Sequence, residues 1–321
     1  MIYYTIKRIL MLIPVILIVT FLVFILLNMA PGTIIDTMNI EKLTTEQYEE
    51  LLSRYNLDKP VVHRYFIYME RLILHGDFGK SDFTDTNIWS LYITRWPTTL
   101  LLALCSVVFG ASIGIPLGIF AANRSGTLWD NAVTLFTLIG ISIPGFWLAL
   151  MLMLQFSLKW PILPASGLND GIKSLVMPTI CGGIGLMASG CRQTRSSMLE
   201  QLNADYLRTA RAKGVAEKKV IRSHALGNAM IPILTTLGNS LAFSISGSNV
   251  IETVFSIRGV GQLSVEAIQN RDVTLTMGCV ILSTVMFTTI QLLVDILYAF
   301  VDPRVKSRYA RPKKIKEGAT T

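Results

Sequence analysis

The sequence is short of charge. Only 16% of its 321 residues are Asp, Glu, Lys or Arg, against about 25% in an ordinary soluble domain. A water-soluble chain of this length has no reason to shed its charges, which argues against a simple cytosolic globule. Reactive pairings are scarce too. The four cysteines, Cys105, Cys181, Cys191 and Cys279, show no CxxC spacing, and three fall in apolar runs. They read as small buried hydrophobes rather than a disulfide framework or a metal site. The three histidines, His63, His75 and His224, lie too far apart to suggest a metal centre. No HExxH, GxSxG or Cys/His cluster is present. The segment 167–174 is no P-loop, because Gly171 does not directly precede Lys173, and backbone N–H groups and the lysine would not reach one phosphate chain. Gly259-Val260-Gly261 lacks the third glycine of a dinucleotide fingerprint.

Long apolar runs are what the chain has instead. A bilayer core about 30 Å thick needs about 20 apolar residues in a helix. Six runs qualify: Ile9–Ala30, Pro97–Ala122, Asn131–Leu158, about Ser174–Cys191, about Ala229–Ile251 and about Val273–Val301. The first follows Lys7 and Arg8 as a signal peptide would, but its run of 22 residues is too long and no small-residue cleavage site follows. It therefore reads as a retained helix.

Lysine and arginine set the orientation. The N-terminus, 123–130, 192–228 and the stretch after 301 together carry 18 basic residues. The segments 159–173 and 252–272 carry 4. The 31–96 loop is too long to count and holds ten acidic residues besides. Both termini are thus expected in the cytoplasm. The formal charge of +8 is a positive-inside signature rather than a nucleic-acid footprint.

The expected organisation is 1–30 as the N-terminal cytoplasmic end and first span, 31–96 as a long external loop, 97–305 as the core with an internal loop at 192–228, and 306–321 as a cytoplasmic tail. The internal loop reads as a helix through Ala204, Leu207, Ala210 and Ala212, a break at Gly214, then a short helix over about Glu217–His224 leading into span five. A gradient-coupled carrier needs ionisable groups at membrane depth. The first five spans hold none, and Asp295 of the sixth lies near its cytoplasmic end. The chain is polytopic, lacks an engine of its own, and carries a basic internal loop, which suggests a gate driven by something docking from the cytoplasm.

The wording of that loop carries a resemblance. Asp205-Tyr206-Leu207-Arg208-Thr209-Ala210-Arg211-Ala212-Lys213-Gly214, ending in His224-Ala225-Leu226-Gly227-Asn228-Ala229, resembles the "EAA" coupling loop of ABC importer permeases. Gly214, Ala210 and Leu226 match that motif; Arg208, Thr209, His224 and Gly227 depart from it. The departures are those typical of the dipeptide/oligopeptide/nickel permeases. Further segments match that group in order: Leu27–Gly32, Asn56–Pro60, His75–Gly79, Ile115–Gly118, Ser142–Trp147, Leu163–Gly167, Glu252–Phe255 with Gly259–Gly261, and Val301–Arg304. Over about residues 1–305 the chain is similar to the B-type transmembrane subunit of such importers.

The resemblance implies an all-α membrane protein with six spans of the type I importer fold. It implies a second homologous permease, two ATP-binding subunits and an extracytoplasmic substrate-binding protein as partners, with ATP and Mg bound by the ATPase subunits and no cofactor, metal or catalytic residue in this chain. Nucleic acid is not expected as a partner; membrane lipid is. The implied coupling residues are Asp205, Tyr206, Arg208, Thr209, Ala210, Arg211, Ala212, Lys213, Gly214, His224 and Leu226. The basic side chains among them read equally as contacts or as solvated cytoplasmic charges. In span five, Ser240, Ser244 and Ser248 share one helical face near Asn239, and polar groups there line a path or pack against a neighbouring helix. Pro116 and the Pro144-Gly145 pair mark kinks that serve gating or simple packing. The expected cargo is a di- or oligopeptide. Alternatives are nickel or a metal chelate on the same machine, a stand-alone channel, and an intramembrane hydrolase for which no nucleophile presents itself.

Overall fold

The computed structural model describes residues 2–29, Gly32, Ile35 and 45–301; the 306–321 tail and Val301–Arg304 beyond its first residue lie outside them. Among the described residues the only extended pairing is an isolated bridge between Lys80 and Asn87. The rest is helix and turn. Helix α1 spans Ile2–Met29, α2 Thr45–Arg54, α3 Val61–His75, α4 Ile88–Asn123 and α5 Leu128–Ser142. Helix α6 spans Gly145–Met153 and runs into a wide turn at Leu154–Lys159. Then come α7 Ile172–Leu202, α8 Asp205–Ala212 and the single turn α9 Glu217–Lys219. The chain closes with α10 Leu226–Gly247, α11 Asn249–Val254, α12 Val260–Gln269 and α13 Val273–Val301.

Among the described residues four stretches are long and apolar enough to cross a membrane: Leu10–Met29, α4, α7 and Val273–Ile296. A fifth arises if α5 and α6, with the turn after them, count as one span bent by 90°. The continuous helix expected over 131–158 is therefore corrected to a broken one. Ile143 and Pro144 are extended, as expected where the Pro ring disfavours helix in the residue before it and removes a backbone donor. The run expected at 229–251 is helical as α10 and is 22 residues long. It is not among the four, because Thr235, Thr236, Asn239, Ser240 and Ser244 dilute its apolar character. Two other boundaries move outward. Helix α4 starts before Pro97, and α7 continues past Cys191 to Leu202, so the first third of the 192–228 segment is helix rather than loop.

Glycines set the central packing. Gly110, Gly114 and Gly118 repeat every fourth residue along α4 and share one face. A side chain at these positions would run into Leu186 and Gly183, Met187, and Cys191 and Thr194 of α7. Small residues let helix backbones approach closely, and dispersion over that contact replaces the hydrophobic drive that lipid cannot supply. Residue numbers rise together along the contact, so α4 and α7 are parallel. The α5–α6 pair therefore carries the chain back from one end of the bundle to the other. Helix α10 runs opposite to α4. Its Ala229 and Ile233 pack with Ala122 and Met198 near the end of α4, while Glu252, just beyond it, reaches Thr99 near the start.

The far end is closed by two buried carboxylates. Glu252 is fully buried and accepts from Thr99 Oγ1 at 2.7 Å, Ser248 Oγ at 2.7 Å and the Gln262 amide at 2.9 Å. A Cβ at Gly259 or Gly261 would collide with this carboxylate, which gives the Glu252–Phe255 and Gly259–Gly261 motifs one shared physical purpose. Asp272, also fully buried, accepts from Ser81 Oγ at 2.6 Å and the Leu275 amide at 2.8 Å. It ties the turn after α3 to the start of α13. Buried charge is tolerated only when its lone pairs are occupied in this way.

Candidate functional site

The α8–α9 segment is built as a helix, a stop and a second helix. Ala204 is extended before α8, and Asp205 supplies a carboxylate in the first turn, where the helix dipole favours negative charge. The stop is a Schellman motif. The Gly214 amide donates to the Arg211 carbonyl at 2.9 Å, and the Val215 amide to the Ala210 carbonyl at 3.2 Å. Gly214 takes φ +77, the left-handed conformation that glycine adopts without steric cost. The accompanying contact of Ala210 with Val215 is apolar, and both join a cluster centred on Leu207, Val220 and Ala225. Those three residues are fully buried. The cluster includes Ala122 at the end of α4 and Met198 of α7, so the segment sits on the bundle as a packed unit.

Polar contacts brace the same unit. The Tyr206 hydroxyl donates to Gln201 Oε1 at 2.9 Å and accepts from Asn228 Nδ2 at 2.9 Å, joining the end of α7 to the start of α10. Across the Gly214 turn, Arg211 makes a forked pair with Glu217, Nε to Oε2 at 3.0 Å and Nη2 to Oε1 at 2.8 Å. This hydrogen bonding holds the Glu217 carboxyl below the usual carboxylate range and raises the Arg211 guanidinium. Both groups face solvent, so salt screens the pair and its contribution to stability is small. Deeper in, Arg195 of α7 forks onto Asp130 at the start of α5, with contacts of 2.6 and 2.7 Å. The Gly126 amide adds a third donor to Asp130 at 3.0 Å.

The surface left over is specific. Asp205, Arg208, Thr209, Ala212, Lys213 and Gly214 are exposed, as are Tyr206 and Arg211 in part. Arg208 pairs with Asp205 at 3.4 Å on the outer face. Ala210 and Leu226 point inward to the cluster. His224 is half-buried, with its carbonyl 3.4 Å from the Tyr206 hydroxyl. Eight of the expected coupling residues are thus exposed, and the other three, Ala210, His224 and Leu226, are half-buried.

The other expected residues do not gather as neatly. Asn239 accepts from Gln291 Nε2 of α13 at 2.8 Å. Ser240 and Ser244 are half-buried, whereas Ser248 is buried and committed to Glu252. Pro116 lies inside an unbroken α4, while Pro144 and Gly145 stand at the 90° bend, with open space around Gly145. His63 and His75 are exposed, and among the described residues no group of three His, Cys, Asp or Glu could hold a metal.

Residues 114–307 match the sequence profile of the binding-protein-dependent transport system inner membrane component, and residues 1–103 match the profile of its N-terminal part. The chain belongs to this family. The chain is 33% identical to the dipeptide transport system permease protein DppB of Escherichia coli K12, over 96% of this chain and all of that one. It is 36% identical to the oligopeptide transport system permease protein AppB of Bacillus subtilis, over 94% and 99% of the two chains. Among solved structures, the methionine ABC transporter MetNI in an inward-facing form aligns with a TM-score of 0.57 at 20% identity, covering 67% of this chain and 97% of that one. At that identity the likeness is one of fold. By its family and these relatives the chain is a multi-pass helical ABC permease subunit.

Sequence reasoning missed the braces of the α8–α9 unit. Asp130 and Arg195 are separated by 65 residues, and nothing in either segment marks its partner. The Arg211–Glu217 fork was within reach, because the two flank the glycine that folds the chain back.

Proposed function

We propose that the chain is a permease subunit of an ATP-driven importer that takes up di- or oligopeptides delivered by an extracytoplasmic binding protein. The peptide cargo is supported by the names of its relatives, which are dipeptide and oligopeptide transport proteins. It would pair with a second, homologous permease, and ATP and Mg would be bound by two separate ATPase subunits. Six crossings with both termini in the cytoplasm are the arrangement we infer, supported by the alternation of helix directions and by the basic residues at the loop end. In this arrangement 1–30 and 97–305 form the membrane body and 31–96 forms the external part.

The observation that carries the reading is the packed α8–α9 unit. Its outer face offers Asp205, Tyr206, Arg208, Thr209, Arg211, Ala212, Lys213 and Gly214, while Leu207, Ala210, Val220 and Leu226 key it to α4, α7 and α10. A displacement imposed on the outer face is passed to those helices, because a packed core moves between discrete arrangements rather than deforming. ATPase closure acting here would shift the bundle. The bend at Pro144-Gly145 and the polar face of Asn239, Ser240 and Ser244, leading up to Ser248, are the parts of the membrane body suited to gating and to lining the path.

Gly214→Pro tests this. Proline cannot take φ +77 and has no amide to donate, so the turn is lost while the membrane helices stay intact. Purified from detergent, the wild-type chain is expected to bring down a second permease and ATPase subunits with measurable ATPase activity. The variant should retain the second permease and lose ATPase by about an order of magnitude. A wild-type chain that purifies alone and without ATPase activity would replace this reading with a stand-alone channel.

A further inference from the structure

Helix α3 is seated at membrane depth, although it belongs to the segment between the first two long spans. Leu10–Met29 is 20 residues long, about 30 Å at the rise of a helix, which is the thickness of a hydrocarbon core. Met29 therefore stands at the border of that core. The Tyr65 hydroxyl of α3 meets Thr20 Oγ1 at 2.9 Å and donates to the Leu17 carbonyl at 3.0 Å. Where water is absent, a hydroxyl takes its partners from the span itself. The Tyr65 ring packs edge-on against Phe21 and Phe24. Tyr65, Tyr68 and Met69 also join Met277 and Ile281 of α13 in one buried cluster. Counted along the two spans, these contacts lie roughly 6–18 Å inside their far ends.

Around its circumference α3 has four unlike sides. Val61, Tyr65, Tyr68, Met69 and Leu72 pack on the bundle. His63 and Glu70 are exposed on the side turned away from it. Arg64, Ile67 and Arg71 edge a cavity of about 1180 Å³ that α1 and α13 help to line. Val62, Phe66 and Ile73 form the fourth side, across the helix from that cavity, and are 49%, 62% and 67% exposed. Leu74 is the one other large apolar residue that α3 exposes. Three apolar side chains in register beside a polar row make an amphipathic surface that water does not favour. Helix α1 beneath it leaves Ile18, Leu22, Leu26 and Met29 exposed along one stripe, so this edge of the bundle is already apolar. Just past α3, Phe78 stacks on Trp89 with centroids 6.1 Å apart, and Trp89 is half-exposed at the start of α4. Tryptophan concentrates at the membrane–water border, which puts the turn after α3 at that level. We propose that α3 is an interfacial helix, with Val62, Phe66 and Ile73 among the acyl chains of the leaflet at the far end and with His63 and Glu70 in water. Helices of this kind bury an apolar side about 5–10 Å into the boundary of headgroups and chains. The segment between the first two spans is then seated in the membrane, and it holds one wall of the cavity at a fixed depth. This rests on the chain crossing a bilayer and holds whether or not the α8–α9 unit docks an ATPase.

The test places the full chain, with whatever subunits purify with it, in nanodiscs of phosphatidylethanolamine and phosphatidylglycerol. Phe66→Cys, Ile73→Cys, His63→Cys and Glu70→Cys each receive a nitroxide spin label. The native cysteines are buried or half-buried, and the unsubstituted chain supplies the background. Collision with oxygen, which dissolves in acyl chains, is compared with collision with a neutral nickel chelate, which stays in water. Labels at Phe66→Cys and Ile73→Cys should meet oxygen several-fold more than the chelate, and labels at His63→Cys and Glu70→Cys should show the reverse. Chelate access at Phe66→Cys equal to that at His63→Cys would put the stripe in water and overturn the proposal. Low access of both reagents at Phe66→Cys and Ile73→Cys would overturn it too, because a protein surface, a second permease or another copy of this chain, would then cover the stripe.

Discussion

Three carboxylates near the far end differ in how many donors they meet. Glu252 is met by three donors, and so is Asp272, from Ser81 Oγ and the Leu275 and Phe83 amides. Asp82 is met by Thr274, through its amide at 3.4 Å and through its side chain. Burial, with Asp272 nearby and only partial relief from Thr274 and Arg71, pushes the Asp82 carboxyl up to about 6 from an ordinary 3.8. Between those two values the folded chain holds a proton that the unfolded chain has released, so stability falls as pH rises from about 4 to about 6 and is flat above. Asp82→Asn should remove that slope, so that it melts above the wild type at pH 7.5 by more than it does at pH 4.5, a difference thermal melting in detergent reads directly. A wild-type slope that survives in the variant would assign it to another group. At this scale little was legible beforehand. The Glu252 and Gly259–Gly261 motifs could be quoted from the sequence, but their contact depends on how the chain turns after α11, and Thr99 comes from a helix 153 residues away.

Helices and their stops were more legible, because their causes are local. Gly214 was read as a break, and it is one, since the Schellman turn needs only the residues either side of it. The Pro–Gly pairs show the limit of such reading. Gly114-Ile-Pro116 and Ile143-Pro144-Gly145 carry the same signal, yet α4 runs straight through the first and the chain bends by 90° at the second. The difference is tertiary. Around Pro116, Gly114 and Gly118 press α4 against α7, and that packing offsets the missing backbone bond. Around Gly145 nothing lies within contact distance. The close approach predicts opposite signs for one kind of substitution. Gly114→Ala puts a methyl against the Met187 backbone and should cost roughly 1–3 kcal/mol. Gly185→Ala, in α7 with open space around it, should stabilise by about 0.5–1 kcal/mol, because alanine suits a helix interior better than glycine. Melting temperatures of the two purified variants check both, and destabilisation by both would show that the glycines serve mobility rather than packing.

For the whole molecule, the packing bears on how often the chain crosses the membrane. Helices α4 and α7 are parallel, so the chain must travel from the loop end to the far end between them, and only α5 and α6 are available to take it there. A re-entrant pair would return 159–171 to the side it left. Composition could not reveal this, because an apolar run of 28 residues reads alike whether it is straight, broken or re-entrant. Asn169 is exposed between the bent pair and α7, and Ser125 is exposed in the turn between α4 and α5. Each can be replaced by Cys in the native chain, where Cys181, Cys191 and Cys279 are buried and Cys105 is half-buried within α4. A thiol reacts as its thiolate and needs water access, so the parent chain should label weakly. In intact cells stripped of any outer envelope, a membrane-impermeant maleimide should label Asn169→Cys at once and Ser125→Cys only after the membrane is opened. Labelling of neither before opening would place both turns on the cytoplasmic side and make α5–α6 a re-entrant loop. The parallel contact of α4 with α7 could then not be accommodated by two helices that both cross, and one of them would have to stop within the bilayer.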